Sequence, residues 1–304
     1  MFRSVLASAC AVCLAVTGAQ AEERTRLGYG RLVTNDFFGD GKDRWRTGSI
    51  TSSRIWGRRA PEGARGFGDL IELRLGAEIM APGHLGGRPD PTDRPYAGTL
   101  SVGAHTHFAW HGFEMSTGAD LVFVGPATGL GSFQREMHDL LGMPRPSEAQ
   151  LDAQIENAVR PTVVVEMGRS FAFGDRITLR PFVEARVGAE TLLRAGADLT
   201  LGRVGQGELL IRETATGQRY RTVQAADPGF SLVLGGDMAV VEDSVYLPED
   251  RGYDLTDSRD RVRAGVHWQG ESASAFYGLT WLGEEFRTQG SDQIVGSVRI
   301  NLQF

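Results

Sequence analysis

Three short stretches hold the side chains with chemical potential. Gln134 and His138 stand four residues apart in the segment Ser132 to Leu141, where Phe133, Met137, Leu140 and Leu141 recur at helical spacing. The two polar residues therefore share a face of one short helix beside an apolar stripe, with Ser132 placed to cap it. A histidine in that setting either moves protons or lines an interface. Asn35-Asp36 precedes the glycine-rich Gly39-Asp40-Gly41, and Thr47 follows it. The Asn-Asp pair reads as a capped turn; with Thr47 it also reads as a set of oxygen donors suited to a hard cation such as Ca²⁺. No Gly-x-Ser-x-Gly elbow occurs, and Ser132 lies too close to His138 to serve as its nucleophile.

The elements that must position these residues begin with an export signal. Arg3 is followed by an apolar stretch from Val5 to Val16 and by Ala19-Gln20-Ala21, so residues 1–21 are expected to be a signal peptide cleaved after Ala21. Cys10 and Cys13 both lie in that segment, which excludes disulfide, thiolate and cysteine-metal chemistry from residues 22–304. No later window approaches the roughly 18 apolar residues of a membrane helix. An exported chain without such a helix can still be integral, because a closed barrel satisfies its own backbone hydrogen bonds.

Period-two alternation points to that barrel. Ile71, Leu73, Leu75, Ala77 and Ile79 oppose Glu72, Arg74, Gly76 and Glu78; Val262, Ala264, Val266 and Trp268 oppose Arg261, Arg263, His267 and Gln269. A soluble sandwich with one polar face alternates too, but so many charges on the polar faces suit a strand between lipid and lumen. Twelve such segments are counted from Arg26 to Phe304, giving an all-β, closed antiparallel transmembrane barrel over 22–304. The last strand alternates up to a terminal Phe304, which resembles the signal read by the barrel assembly machinery. Parity puts Phe37 to Trp45, Ala81 to Pro95, Gly125 to Arg160 and Val241 to Arg259 outside, with the short helix in an extracellular loop. The tight turns His111-Gly112, Gly174-Asp175 and Gly270-Glu271 fall inside. Val204 to Pro228 is long yet also falls inside, so it is either a periplasmic insertion or a miscounted hairpin. Asp36, Thr47 and the His138 helix then share one rim. His105 and His107 project to one side of a strand, as lumen lining or as a metal pair.

The chain carries 32 basic and 38 acidic residues, a formal charge of −6, which argues against nucleic acid as a partner. Lys42 is the only lysine. The rest of the positive charge is Arg, the better fork for phosphate or carboxylate oxygens.

The chain resembles the lipid A 3'-O-deacylase family of outer-membrane barrels. The matching pieces are Thr34-Asn35-Asp36, Asp43-Arg44-Trp45-Arg46-Thr47-Gly48, Asp93-Arg94-Pro95-Tyr96-Ala97-Gly98, Gly125-Pro126, Gln134-Arg135-Glu136-Met137-His138, Gln154-Ile155-Glu156-Asn157, and Glu285-Phe286-Arg287-Thr288 onward to Phe304. The resemblance implies a twelve-stranded barrel in the bacterial outer membrane that hydrolyses the 3'-linked acyloxyacyl chain of lipid A in lipopolysaccharide. It implies His138 as general base, Asn35, Asp36 and Thr47 as the Ca²⁺ site, and Arg88, Arg94 and Gln134 as substrate-binding residues. Two family residues are missing. No lysine stands in the second outer loop, where Arg88 or Arg94 could only partly stand in, and Pro144 falls near the position of the family glutamate, with Glu148 as a candidate. The family's aromatic-Thr-Asn-Gly motif is here Arg46-Thr47-Gly48-Ser49. These departures leave a second expectation open, a catalytically silent barrel acting as a structural protein or narrow pore.

Overall fold

A computed structural model describes residues 24–57, 66–224 and 227–302. The expected signal segment 1–21 and the terminal Phe304 lie outside these residues. Alternating apolar and polar residues build long strands here because each face meets a different medium. In order they are β1 (Thr25–Asn35), β2 (Trp45–Gly57), β3 (Leu70–Ala81), β4 (Ala97–Trp110), β5 (Phe113–Val124), β6 (Ala158–Gly168), β7 (Phe171–Phe173) and β8 (Ile177–Val187). There follow β9 (Glu190–Gly202), β10 (Leu209–Arg212), β11 (Arg219–Val223), β12 (Gly229–Ser244), β13 (Arg259–Gln269), β14 (Ala273–Leu282) and β15 (Gln293–Leu302).

Successive wall strands pair antiparallel, β1 meets β15, and β6 meets β8, so the sheet closes on itself. The short β7 lies on the same partner as β6 and prolongs it, leaving twelve wall strands, as the alternation predicts. Arg259, Arg261, Arg263 and His267 of β13 turn inward and are buried, while Val262, Val266 and Trp268 face out. His111 and Gly112 both have positive φ, the two-residue hairpin geometry expected of that turn. At the same short-turn end, Phe67, Trp110, Phe171, Phe173, Phe230 and Trp268 stand exposed on the outer surface. Such a ring of aromatic side chains marks a membrane interface.

The lumen is filled. Glu72 on β3 accepts from Arg74, Ser53 and His107, and His105 meets Asp120, so both histidines line the interior. Asp237 gathers Arg194, Arg261 and Arg263, and Arg212 bridges Glu166 and Asp198. The long inner connection accounts for much of this packing. Within residues 204–228, β10 and β11 pair as a hairpin that enters the barrel and lies along β1. Gly28 and Gly30 make room for it, since a Cβ at either position would strike the backbone of β11. Tyr220 at its centre is fully buried and shares a hydrogen bond with Ser53. The strand count was therefore right, and the long inner connection is a plug. A polar cavity of about 80 Å³ between Arg46, Arg74, Glu78, Asp120 and Glu213 remains. That holds a few waters and no lipid.

Candidate functional site

At the long-loop end, the loops carry the residues singled out from sequence. Asn35 ends β1, and its side-chain Oδ1 accepts from Phe37 N at 2.8 Å, capping a single 3₁₀ turn, Asp36–Phe38. That role is the capped turn read from sequence. The chain then returns through Asp43 and Trp45, both with positive φ, a conformation costly for residues with side chains. Their geometry faces the Asp43 carboxylate back toward Asp36. A bulge between Arg46 and Gly48 shifts the register of β2 against β3. Arg46 thereby enters the lumen to meet Glu78 and Glu285, while the Thr47 hydroxyl donates to Asp43 Oδ1 at 2.5 Å.

The opposite side of the cleft comes from α1 (Leu130–Leu141). It begins two residues before the expected start, and Gly129, not Ser132, occupies its N-cap. Gln134 and His138 are its two buried residues. Gln134 Nε2 lies 3.4 Å from Asp43 Oδ1, and His138 Nδ1 lies 3.4 Å from Asp43 Oδ2. His138 Nδ1 also sits 2.6 Å from the carbonyl oxygen of Pro144. A carbonyl only accepts, so Nδ1 carries a proton, and in the neutral ring the lone pair is then on Nε2. The partner of Nδ1 is thus a backbone oxygen and not a carboxylate side chain. Glu148 instead opens α2 (Glu148–Asp152), with a side chain 88% exposed and loosely paired to Arg135.

The cluster is rich in negative charge. Asp36 is buried and accepts from Arg44 N at 2.8 Å. Burial first, then the charge of Asp43, push its carboxyl up to about 7. Burial and the same Asp43 charge raise the Tyr96 phenol. Asp43 Oδ2, Gln134 Oε1 and the Tyr96 hydroxyl are buried without a hydrogen-bond partner among the described residues. Two desolvated carboxylates, a hydroxyl and unpaired oxygens are hard donors, so the donor chemistry fits Ca²⁺ and not a soft metal. No trio of His, Cys, Asp and Glu converges among the described residues, so hydroxyl, amide, backbone or water oxygens must complete any coordination.

Asp36, Thr47, Gln134 and His138 are therefore brought together, with Asn35 beside them as the cap. Arg94 is not. Its guanidinium is 1% exposed and pairs with Glu285 at 2.6 Å, because the lumen side supplies the carboxylate it needs. Arg88 sits exposed on the second long loop with no contact to the cluster. Asp43 and Tyr96, unassigned from sequence, belong to it; their presence in the matching motifs was the available signal.

Apolar outer wall, plugged lumen and a polar cleft beyond the wall define a membrane-embedded barrel. A sequence profile described as "Outer membrane protein LpxR" matches residues 5–304. The chain belongs to this family of outer-membrane proteins, as the resemblance in its motifs implied. The structure of LpxR from Salmonella typhimurium is similar, with a TM-score of 0.72 at 19% identity over 91% of this chain and 100% of that one. The β domain of the Bordetella autotransporter BrkA aligns with a TM-score of 0.40 at 11% identity over 92% of this chain and 99% of that one. No curated protein sequence matches.

Proposed function

We propose that this protein is an esterase of the outer leaflet that hydrolyses the 3'-linked acyloxyacyl chain of lipid A in lipopolysaccharide. The long loops of bacterial barrels face outward, which puts the cleft beside that leaflet. The observation that carries the reading is the His138 Nδ1 contact to the Pro144 carbonyl, made beside the buried Asp36 and the part-buried Asp43 carboxyl groups.

With Nδ1 held by Pro144, Nε2 of His138 accepts the proton of the attacking water and later returns it to the leaving alkoxide. Asp43 stabilises the imidazolium formed between those steps, and Thr47 and Gln134 fix the Asp43 carboxylate. Asp36, Asp43 and Thr47 are the residues that would hold Ca²⁺, with Asn35 shaping the turn that presents Asp36. Bound there, the ion would supply positive charge for the ester oxyanion. Arg88 is the remaining cation on the second loop for a lipid phosphate. The barrel assembly machinery is the proposed partner for insertion.

Mass spectrometry of lipid A from cells carrying wild-type protein, His138→Ala or neither tests this. Loss of the 3' acyloxyacyl mass only with wild type supports it; one pattern in all three rejects it. The silent-barrel alternative predicts that second result.

A further inference from the structure

The cleft has two apolar lips that none of the described residues covers. On α1, Phe133, Met137, Leu140 and Leu141 form one edge, with Leu140 80% and Leu141 61% exposed, while Glu136 and Asp139 lie on the other. Across the cleft, Phe37 is 68% exposed and stacks edge-on with Phe38. Water is a poor medium for so much unpartnered apolar surface at one place.

Both lips rest on the outside of the wall. Gly98 of β4 is an outward position, and a Cβ there would strike Thr128 and Leu130, the start of α1. Two residues further along the same face is Leu100, paired across strands with Phe123, both exposed on the lipid-facing band. Gly296 of β15 is the matching position for the second lip, since a Cβ there would strike Phe38. Tyr277, exposed on the neighbouring β14, donates its hydroxyl to Phe38 O at 2.9 Å. Glycine at these two positions lets loop and helix lie flat against the wall. The apolar band of the barrel therefore runs without a break into both lips. At the short-turn end, exposed aromatic side chains ring the wall; here Phe37, Phe38 and Phe133 take the corresponding place.

We propose that the apolar edge of α1 and the Phe37–Phe38 pair are immersed in the acyl layer of the membrane, so that the His138 cleft opens sideways onto lipid. The occupant of the lips is lipid acyl chain, in the manner of a helix lying in the interface plane with its polar edge toward the headgroups. Immersion stands on the wall geometry alone. Its consequence, that an ester substrate reaches His138 laterally with its acyl chains already in place, rests on the deacylase reading.

The chain from Glu22 onward has no cysteine, so single-cysteine spin labels read immersion cleanly. Labels are placed by Phe133→Cys, Leu140→Cys and Leu141→Cys, with Leu100→Cys as a lipid-facing reference and Glu136→Cys and Asp139→Cys on the polar edge. The chain from Glu22 onward is folded into phosphatidylethanolamine–phosphatidylglycerol vesicles, and relaxation by oxygen is compared with relaxation by a water-soluble nickel chelate. Oxygen-dominated relaxation at 133, 140 and 141, as at 100, with the reverse at 136 and 139, is the expected result. Chelate-dominated relaxation at 133, 140 and 141 overturns the proposal, whatever the enzyme does. For lateral access, Leu140→Glu is expected to slow hydrolysis of bilayer lipid A several-fold while sparing detergent-dispersed lipid A. Equal slowing, or none, on both substrates overturns lateral access while leaving the deacylase reading intact.

Discussion

Asp43 holds the polar cleft together, since it touches Thr47, Gln134 and His138 at once. Asp43→Asn keeps the shape but removes the charge that faces the imidazole, and hydrolysis is expected to fall by about a hundredfold with little change in KM. Asp36 sets a pH dependence. Its carboxyl is raised from 3.8 to about 7 in the fold, so the folded state holds its proton through that window while the unfolded state releases it. Stability without divalent cation should therefore fall as pH rises from about 4 to about 7, and Ca²⁺ should restore more at pH 8 than at pH 5. Thermal unfolding followed by gel mobility checks this, and Asp36→Asn should flatten the dependence. Arg94→Ala is expected to cost about 2 kcal/mol of stability by removing one of the guanidinium groups hydrogen-bonded to buried Glu285, which keeps Arg46. An effect confined to substrate KM would return Arg94 to the lipid-binding role expected from sequence. Glu148→Ala is expected to leave activity unchanged, because the acceptor on His138 is the Pro144 carbonyl.

Among the elements, the wall strands were legible because alternation is imposed by two media and repeats along every strand. Ile71 to Ile79 and Val262 to Trp268 sufficed to set which face of β3 and β13 meets the lumen. The plug was not legible, because a hairpin buried inside a polar lumen shows no lipid-facing stripe, and parity speaks only of wall crossings. The start of α1 escaped because Gly129 enters it from a left-handed turn with no capping side chain. In the cleft, His138, Gln134, Asp36 and Thr47 were visible as side-chain chemistry in family motifs. Asp43 depended on left-handed backbone at two residues, and the Pro144 carbonyl on an atom every residue possesses. The plug makes a prediction at this scale. Replacing residues 208–223 with a short glycine-serine linker should turn a silent barrel into a conducting one in planar bilayers, whereas the intact chain should pass no steady current.

At the scale of the molecule, the barrel separates two tasks. Its interior is crosslinked by ion pairs and a hairpin, which holds the wall rigid, while the polar cleft sits outside that wall, between α1 and the first loop. Rigid support of this kind keeps a cleft on loops in register. The most direct measurement is release of free acyl chain from lipid A by purified protein in vesicles, with Ca²⁺ or with a chelator, for wild type and His138→Ala. Release by wild type with Ca²⁺ alone is the predicted result; equal release by His138→Ala, or none from any sample, contradicts a Ca²⁺-assisted esterase at this cleft.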